Sequence, residues 1–469
     1  MPFTQVFTHA SCPASRSPSA PDTELATAMP RSLWQCVSTG RPTAEASLAN
    51  RSLIRPGESP PIVSQYRTRV APASRAASAN SVRYPSSVRL ALRGRPRRPA
   101  GTVDITVESA ITEITADTLR FRGLDATRLA VSRPFEDVAE LLWTGEFPAA
   151  QPVPSAQAAT QATWQATPAA LAAGRAAQAA LPAGALPLER LQVIVPAMAA
   201  TDSLRLQLDP SAVLAAARNL IAGMVDCLPT PPAARPPSDP APSFPFVPSA
   251  PAGSDVPIAE RLWSRMCGRR SAPELLRALS AALVLLADHE LAASTLAARV
   301  AASVRADPYA VVGTGLGAMS GALHGGASLG AETLLAAARG PDDVPRVVGE
   351  LLRRGEKVPG FGHFVYRNGD PRAIVLLGLV RRAAPKSGPL AVAEAVLAEV
   401  RRKSLPAPNI DFAIATLARV AGMVTGTGEA IFAVARTAGW IAHALEAYEG
   451  DGPLRPRAVY TGRPAVLDP

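Results

Sequence analysis

Two textures alternate along the chain, and they divide it before any residue is assigned a role. Residues 1–100 mix Pro, Ser and Arg with scattered apolar positions and hold neither a helical nor a strand period, the pattern of a segment too poor in apolar residues to build a core. From Thr102 to Thr115 (TVDITVESAITEIT) polar and apolar positions roughly alternate, which predicts a short β segment near residue 105. From Phe135 to Trp143 (FEDVAELLW) the apolar residues switch to helical spacing, and the chain reads as helical thereafter. Strong helices are expected over 273–286, 342–354, 371–382, 390–403, 409–423 and 428–448, separated by Gly- and Pro-punctuated loops. Residues 229–257 interrupt this pattern with eleven prolines in 29 positions, which no helix tolerates. The expected organisation is a segment 1–100, a helical part 101–228, a Pro-rich insert 229–257 and a second helical part 258–469. The fold class is all-α, with no room for a sheet of any size.

Composition supports this reading and removes some partners. Ala and Leu are abundant, aromatics make up 5% and charged residues 18%, which favours helix. The net charge of +10 invites a nucleic-acid reading, but residues 1–100 carry fourteen Arg, no Lys and four acids. The excess therefore belongs to that segment, the body sums to zero, and nucleic acid is not expected for the body. The four cysteines (Cys12, Cys36, Cys227, Cys267) are scattered without a CxxC pair, which fits a reducing compartment and neither a zinc site nor a disulfide framework. No apolar run has membrane-spanning length, and the expected location is cytoplasmic.

Five histidines carry the most informative chemical signal, and four lie in the C-terminal part. His324 sits in SGALHGGA, before a helical stretch, so glycines would let a ligand approach the backbone while a helix N-terminus keeps the ring neutral. His363 sits in VPGFGHFVYRNGDPRA with two arginines, Arg367 and Arg372, close behind, a loop suited to an anionic carbonyl compound. Asp411 follows Pro408 and Asn409 in the first turn of a predicted helix. Singly, each has a bland reading: a capping turn, a solvated basic turn, an aspartate complementing a dipole.

The order His324, His363, Asp411, each in its Gly/Pro-framed segment, closely resembles the citrate synthase family. LRFRGLDATRLA, FEDVAELLWTGEFP, ADHELAAST around His289, FAVARTAGWIAHALE around Arg436 and RPRAVYTGRP near the end extend the match over roughly 103–464. The resemblance implies a two-domain helical fold, large and small. It also implies condensation of acetyl-CoA with oxaloacetate, followed by hydrolysis of citryl-CoA. By match to the family, Asp411 is the base, His324 hydrogen-bonds the enolate and His363 the oxaloacetate carbonyl. His289, Arg372, Arg436 and Arg455 would bind oxaloacetate, Arg455 reaching into the partner subunit of a homodimer, and Arg367 would contact a CoA phosphate. Acetyl-CoA is then a co-substrate, with no permanently bound cofactor and no metal.

The sequence also departs from the family. Phe364 follows His363 where many bacterial members carry Arg, SLGAE follows His324 where the family often has NEEV, and the insert at 229–257 is long. The acyl preference therefore stays open between acetyl-CoA and propionyl-CoA, the latter giving 2-methylcitrate, with a non-catalytic citrate- or CoA-binding regulator as a third possibility. The linker ALRGRPRRPAG is similar to one that joins a small helix-turn-helix domain to some actinobacterial-type relatives, which makes residues 1–100 a candidate degenerate helix-turn-helix region.

Overall fold

The computed structural model describes residues 107–148, 164–231, 256–450, 452–458 and 460–462. The readings for residues 1–100, for a strand near residue 105 and for most of the insert lie outside these residues. The strand that is described lies further on. A three-stranded antiparallel sheet comprises β1 (Thr112–Ile114), β2 (Leu119–Phe121) and β3 (Leu124–Asp125), with Thr112 opposite Phe121 and Arg120 opposite Asp125. Arg122 and Gly123, both at positive φ, make the tight turn between β2 and β3 that strict alternation does not reveal.

Helices fill the rest of the described chain. The first five are α1 (Ala126–Ser132), α2 (Phe135–Thr144), α3 (Pro168–Ala179), α4 (Pro187–Ala199) and α5 (Pro210–Asp226). Next come α6 (Ile258–Met266), α7 (Pro273–Leu286), α8 (Ala293–Ser303), α9 (Pro308–Met319) and α10 (Gly326–Ala337). The last are α11 (Val344–Arg353), α12 (Pro371–Ala383), α13 (Gly388–Arg402), α14 (Ile410–Ala421) and α15 (Thr427–Tyr448). Predicted and observed ends agree closely for α7, α12, α13, α14 and α15. Among the described residues no helix is long and apolar enough to cross a membrane.

Many prolines that look like breakers are helix starts. Asp209–Pro210, Asp307–Pro308 and Asp370–Pro371 each supply an N-cap carboxylate followed by a residue whose missing N–H is needed by no bond. The cap also removes up to about 2 kcal/mol of cost at an otherwise open helix end.

The core is organised around α15, whose apolar residues run all round the helix, and nearly every side chain on it is buried. Helices α2, α4, α5, α7, α8 and α9 pack on it. A second group, α10 to α14, packs mainly on itself through α14 and touches α7 and α15. Across the Pro-rich insert, α5 and α6 meet through a buried Asp226–Arg261 ion pair. Cys227 and Cys267 are buried free thiols.

Candidate active site

Two close approaches hold the site-bearing segments. Gly439, in the middle of α15, donates its N–H to Ala287 O at 2.9 Å, and a side chain there would run into Asp288. The end of α7 is thereby pressed onto α15, and His289 follows it. Glu290 adopts φ 53°, an uncommon left-handed conformation for a glutamate, and its N–H bonds Asp288 Oδ2 at 3.0 Å. The loop carrying His363 is pinned to the start of α14. Gly360 (φ +81°) lies so close to Phe412 that an added Cβ would sit 2.7 Å from that residue's Cβ. Asn409 donates its N–H to Gly360 O at 2.9 Å and its side-chain amide to Gly362 O at 3.0 Å, while its Oδ1 caps α14.

Arg372 and Arg436 dominate one half of the site. Arg372 is almost wholly buried and is held by Asp370 through two bonds of 2.9 Å, so the N-cap of α12 is also its counter-ion. Burial pushes the Asp370 carboxyl up, but Arg372 outweighs this and leaves it below the usual range. Arg436 is 1% exposed, and its Nε donates to Leu286 O at 2.8 Å, yet both terminal nitrogens lack a hydrogen-bond partner. Its guanidinium sits 4.7 Å from the centre of the Phe432 ring. Burial lowers its pKa to about 10. Behind it lies a wholly buried cluster: Asp288, and His443 with Nε2 3.5 Å from Asp288 Oδ2 and Nδ1 2.9 Å from Arg299.

The histidines complete this half. His363 Nδ1 accepts backbone N–H groups of Val365 (3.0 Å) and Tyr366 (3.2 Å), while its Nε2 lies 3.2 Å from Arg372 Nη2. Both ring nitrogens therefore face donors, and a neutral imidazole cannot accept at both. An oxygen inserted between Nε2–H and Arg372 resolves the conflict. His289 lies 5.4 Å from the His363 ring, edge to face, and its Nε2 is 3.1 Å from Tyr366 OH. Tyr366 stacks at 4.6 Å on His363, with Arg372 5.4 Å over its ring. Burial first and Arg372 second lower His363 to about 4 and hold His289 well below its ordinary value.

The other half is built on hydroxyls. His324, just before α10, has Nε2 2.8 Å from the buried Ser294 Oγ and lies edge-on to Phe432 at 5.7 Å. Burial, then Arg436, bring it to about 4, so both loop histidines are neutral at pH 7. Asp411 Oδ1 accepts from Ser328 Oγ at 2.6 Å. Burial raises the Asp411 carboxyl, and Ser328, Arg372 and Arg436 partly offset it. Arg436 acts on Asp411, His324 and His289 alike, which places these groups within reach of one charge.

Six residues read from the sequence thus meet: His289, His324, His363, Arg372, Asp411 and Arg436. Arg367 is in the His363 loop but exposed, and Arg455 is exposed in the C-terminal coil. Five participants escaped sequence reading: Ser294, Ser328, Tyr366, Asp370 and Asp288. Only Asp370 left a signal, the DPR string that caps α12.

A family model described as citrate synthase, C-terminal domain, matches residues 101–457. Citrate synthase 2 of Bacillus subtilis is 30% identical over 368 residues, covering 76% of this chain and 94% of the relative. 2-Methylcitrate synthase 2 of Corynebacterium glutamicum is 29% identical over 367 residues, covering 76% and 92%. Among solved structures, the ternary complex of carboxymethyl-CoA and oxaloacetate with citrate synthase from Thermoplasma acidophilum aligns at TM-score 0.62 and 25% identity, over 78% of this chain and 96% of that one.

Proposed function

The chain belongs to the citrate synthase family, and from that premise we propose that its site joins the methyl carbon of acetyl-CoA to the ketone carbon of oxaloacetate, after which water cleaves the citryl-CoA thioester to citrate and CoA. The observation that carries this reading is the surplus of donors in the Arg372–Arg436 half, above all the two unpartnered terminal nitrogens of a buried guanidinium. Leaving such donors unpaired is costly, and a dicarboxylate satisfies them bidentately.

In this reading Arg436, Arg372 and His289 hold the oxaloacetate carboxylates, and His363 donates from Nε2 to the ketone oxygen. Ser294 donates to His324 Nε2, leaving the proton on Nδ1 to face the thioester oxygen. Asp411, whose charged form Arg372 and Arg436 favour against burial, removes a methyl proton as His324 hydrogen-bonds the enolate that forms. A thioester methyl is so weakly acidic that neither step proceeds without the other. The new bond forms to the ketone carbon, whose oxygen takes a proton from the His363 side. Arg367 contacts a CoA phosphate from its exposed position, and Arg455 completes the site of a partner subunit in a homodimer.

Thiol release from acetyl-CoA in the presence of oxaloacetate tests the reading, and no release with either acetyl- or propionyl-CoA overturns it in favour of a ligand-binding regulator. The Corynebacterium relative favours a second reading, condensation of propionyl-CoA to 2-methylcitrate. The ratio of kcat/KM for the two thioesters decides between them. One methylene is worth only about 1–3 kcal/mol, so the ratio is read quantitatively rather than as presence or absence.

A further inference from the structure

The helix that follows His324 does more than space that histidine from the core. His324, Ser328 and Glu332 are spaced four apart and share one face of the segment opening α10. Glu332 accepts the N–H groups of Gly426 (2.8 Å) and Gly428 (2.7 Å) at the start of α15. Gly428 packs so tightly there that an added Cβ would lie 3.0 Å from both Ser328 Cβ and Glu332 Oε1. Between these two anchors Ser328, wholly buried, donates its hydroxyl to Asp411 Oδ1, 83 residues away.

That bond departs from habit. A helical Ser or Thr often turns its hydroxyl back to a carbonyl of the preceding turn. In this protein Ser132, Thr333, Thr416 and Thr437 all do so, at 2.8–2.9 Å. Ser328 instead reaches across to α14. Its target has no other side-chain hydrogen bond among the described residues, so Oδ1 is engaged and Oδ2 is left without a hydrogen bond.

We infer that Ser328 is a positioning residue for proton abstraction, fixing Asp411 through Oδ1 so that Oδ2 is the oxygen that takes the methyl proton. The inference rests on the condensation reading for what Asp411 does, but the geometry it invokes is present without substrate. The stretch from His324 into α10 then places both groups that act on the thioester: His324 itself, and Asp411 through one hydroxyl. The hydroxyl also favours the charged carboxylate, offsetting the effect of burial.

Ser328→Ala removes the bond without adding volume. In the free protein, the Asp411 carboxyl, followed by difference infrared spectroscopy with Asp411→Asn as the blank, is expected to titrate about one pH unit higher than in the wild type. With oxaloacetate and acetyl-CoA, kcat is expected to fall roughly tenfold, its acid limb to move up by a similar amount, and KM for oxaloacetate to stay within about threefold. Ser328→Thr, which keeps the hydroxyl, should restore the titration. An unshifted carboxyl titration in a folded Ser328→Ala overturns the inference whether or not the protein turns over. So does a rise in oxaloacetate KM as large as the fall in kcat, since that marks a general distortion. A wild type that releases no thiol overturns the condensation reading alone, because the titration still decides the role of Ser328.

Discussion

Arg436 and Asp411 lie within each other's field, yet the groups around them are finished to different degrees. On the Arg436 side, two guanidinium groups and two neutral imidazoles present donors with too few acceptors: two nitrogens of Arg436 have no partner, and His363 meets donors at both ring nitrogens. On the Asp411 side each reactive group already has a hydroxyl, Ser328 on the carboxylate and Ser294 on His324. The first half is therefore completed by its ligand, and the second is organised before any ligand arrives. Unsatisfied buried donors cost stability in the free protein, and that cost returns as affinity for an anion. Preorganised partners lower the barrier instead, because they need not move as charge develops.

The sharpest way to break this division is Asp411→Asn. It keeps the shape and an oxygen for Ser328 but removes the base, so kcat should fall about 10³-fold or more. Oxaloacetate affinity, read by calorimetry, should change by less than about threefold. Equal losses in both would mean the halves are not separate. Arg436→Lys is the converse. It retains charge but not the planar fork, and KM for oxaloacetate should rise about 30- to 100-fold, with a smaller fall in kcat. Stabilisation of the folded protein by oxaloacetate, measured as a shift in melting temperature, should shrink with it.

How much of this was legible in the sequence follows the same line. The reactive groups of His324, His363 and Asp411 stand out because each needs a special backbone, and Gly and Pro write that need into the chain. Helices with Pro or Gly at their ends and long apolar runs, such as α7 and α15, had readable limits, whereas Ala-rich α3 and α8 offer few large apolar residues to mark an element. Ser328 and Ser294 were invisible, since a serine on a helix looks the same whether it bonds its own turn or a carboxylate 83 residues away. Tyr366 carried no signal of its own in its loop. Arg436 drew notice only through the family resemblance, because nothing in FAVARTAGWIAHALE says that its guanidinium ends without a partner.

Acid sharpens the comparison next. His324 and His363 titrate near 4 when folded against about 6.5 when unfolded, so between those values the unfolded chain holds more protons. Their contribution is fully present above pH 6.5 and is lost as pH falls towards 4. Glu429, raised to about 7 by burial and then by Glu332, acts in the opposite sense: its contribution is present below about 4.5 and lost as pH rises through 7. Urea unfolding from pH 4.5 to 7 should show His363→Gln flattening the rise of stability with pH by up to about 1 kcal/mol per unit, and Glu429→Gln steepening it. Oxaloacetate should flatten the rise in the wild type too, since an anion beside His363 raises its pKa.

Tyr366→Phe probes a hydroxyl on the donor-rich side. The ring stays, keeping its stack on His363 and its place under Arg372, and only the bond to His289 Nε2 is lost. With His289 neutral, the hydroxyl and Nε2 share one hydrogen bond whose direction follows the ring's tautomer, so the hydroxyl bears on a tautomer rather than a charge. Losing one such neutral bond is worth about 1 kcal/mol, which predicts a three- to tenfold fall in kcat/KM with the pH profile unmoved. The loss should appear in KM for oxaloacetate, because His289 belongs to the half that waits for its ligand. A fall beyond about a hundredfold, or one confined to kcat, would instead put the Tyr366 hydroxyl at the reacting atoms and erase the distinction between the half that binds and the half that transfers the proton.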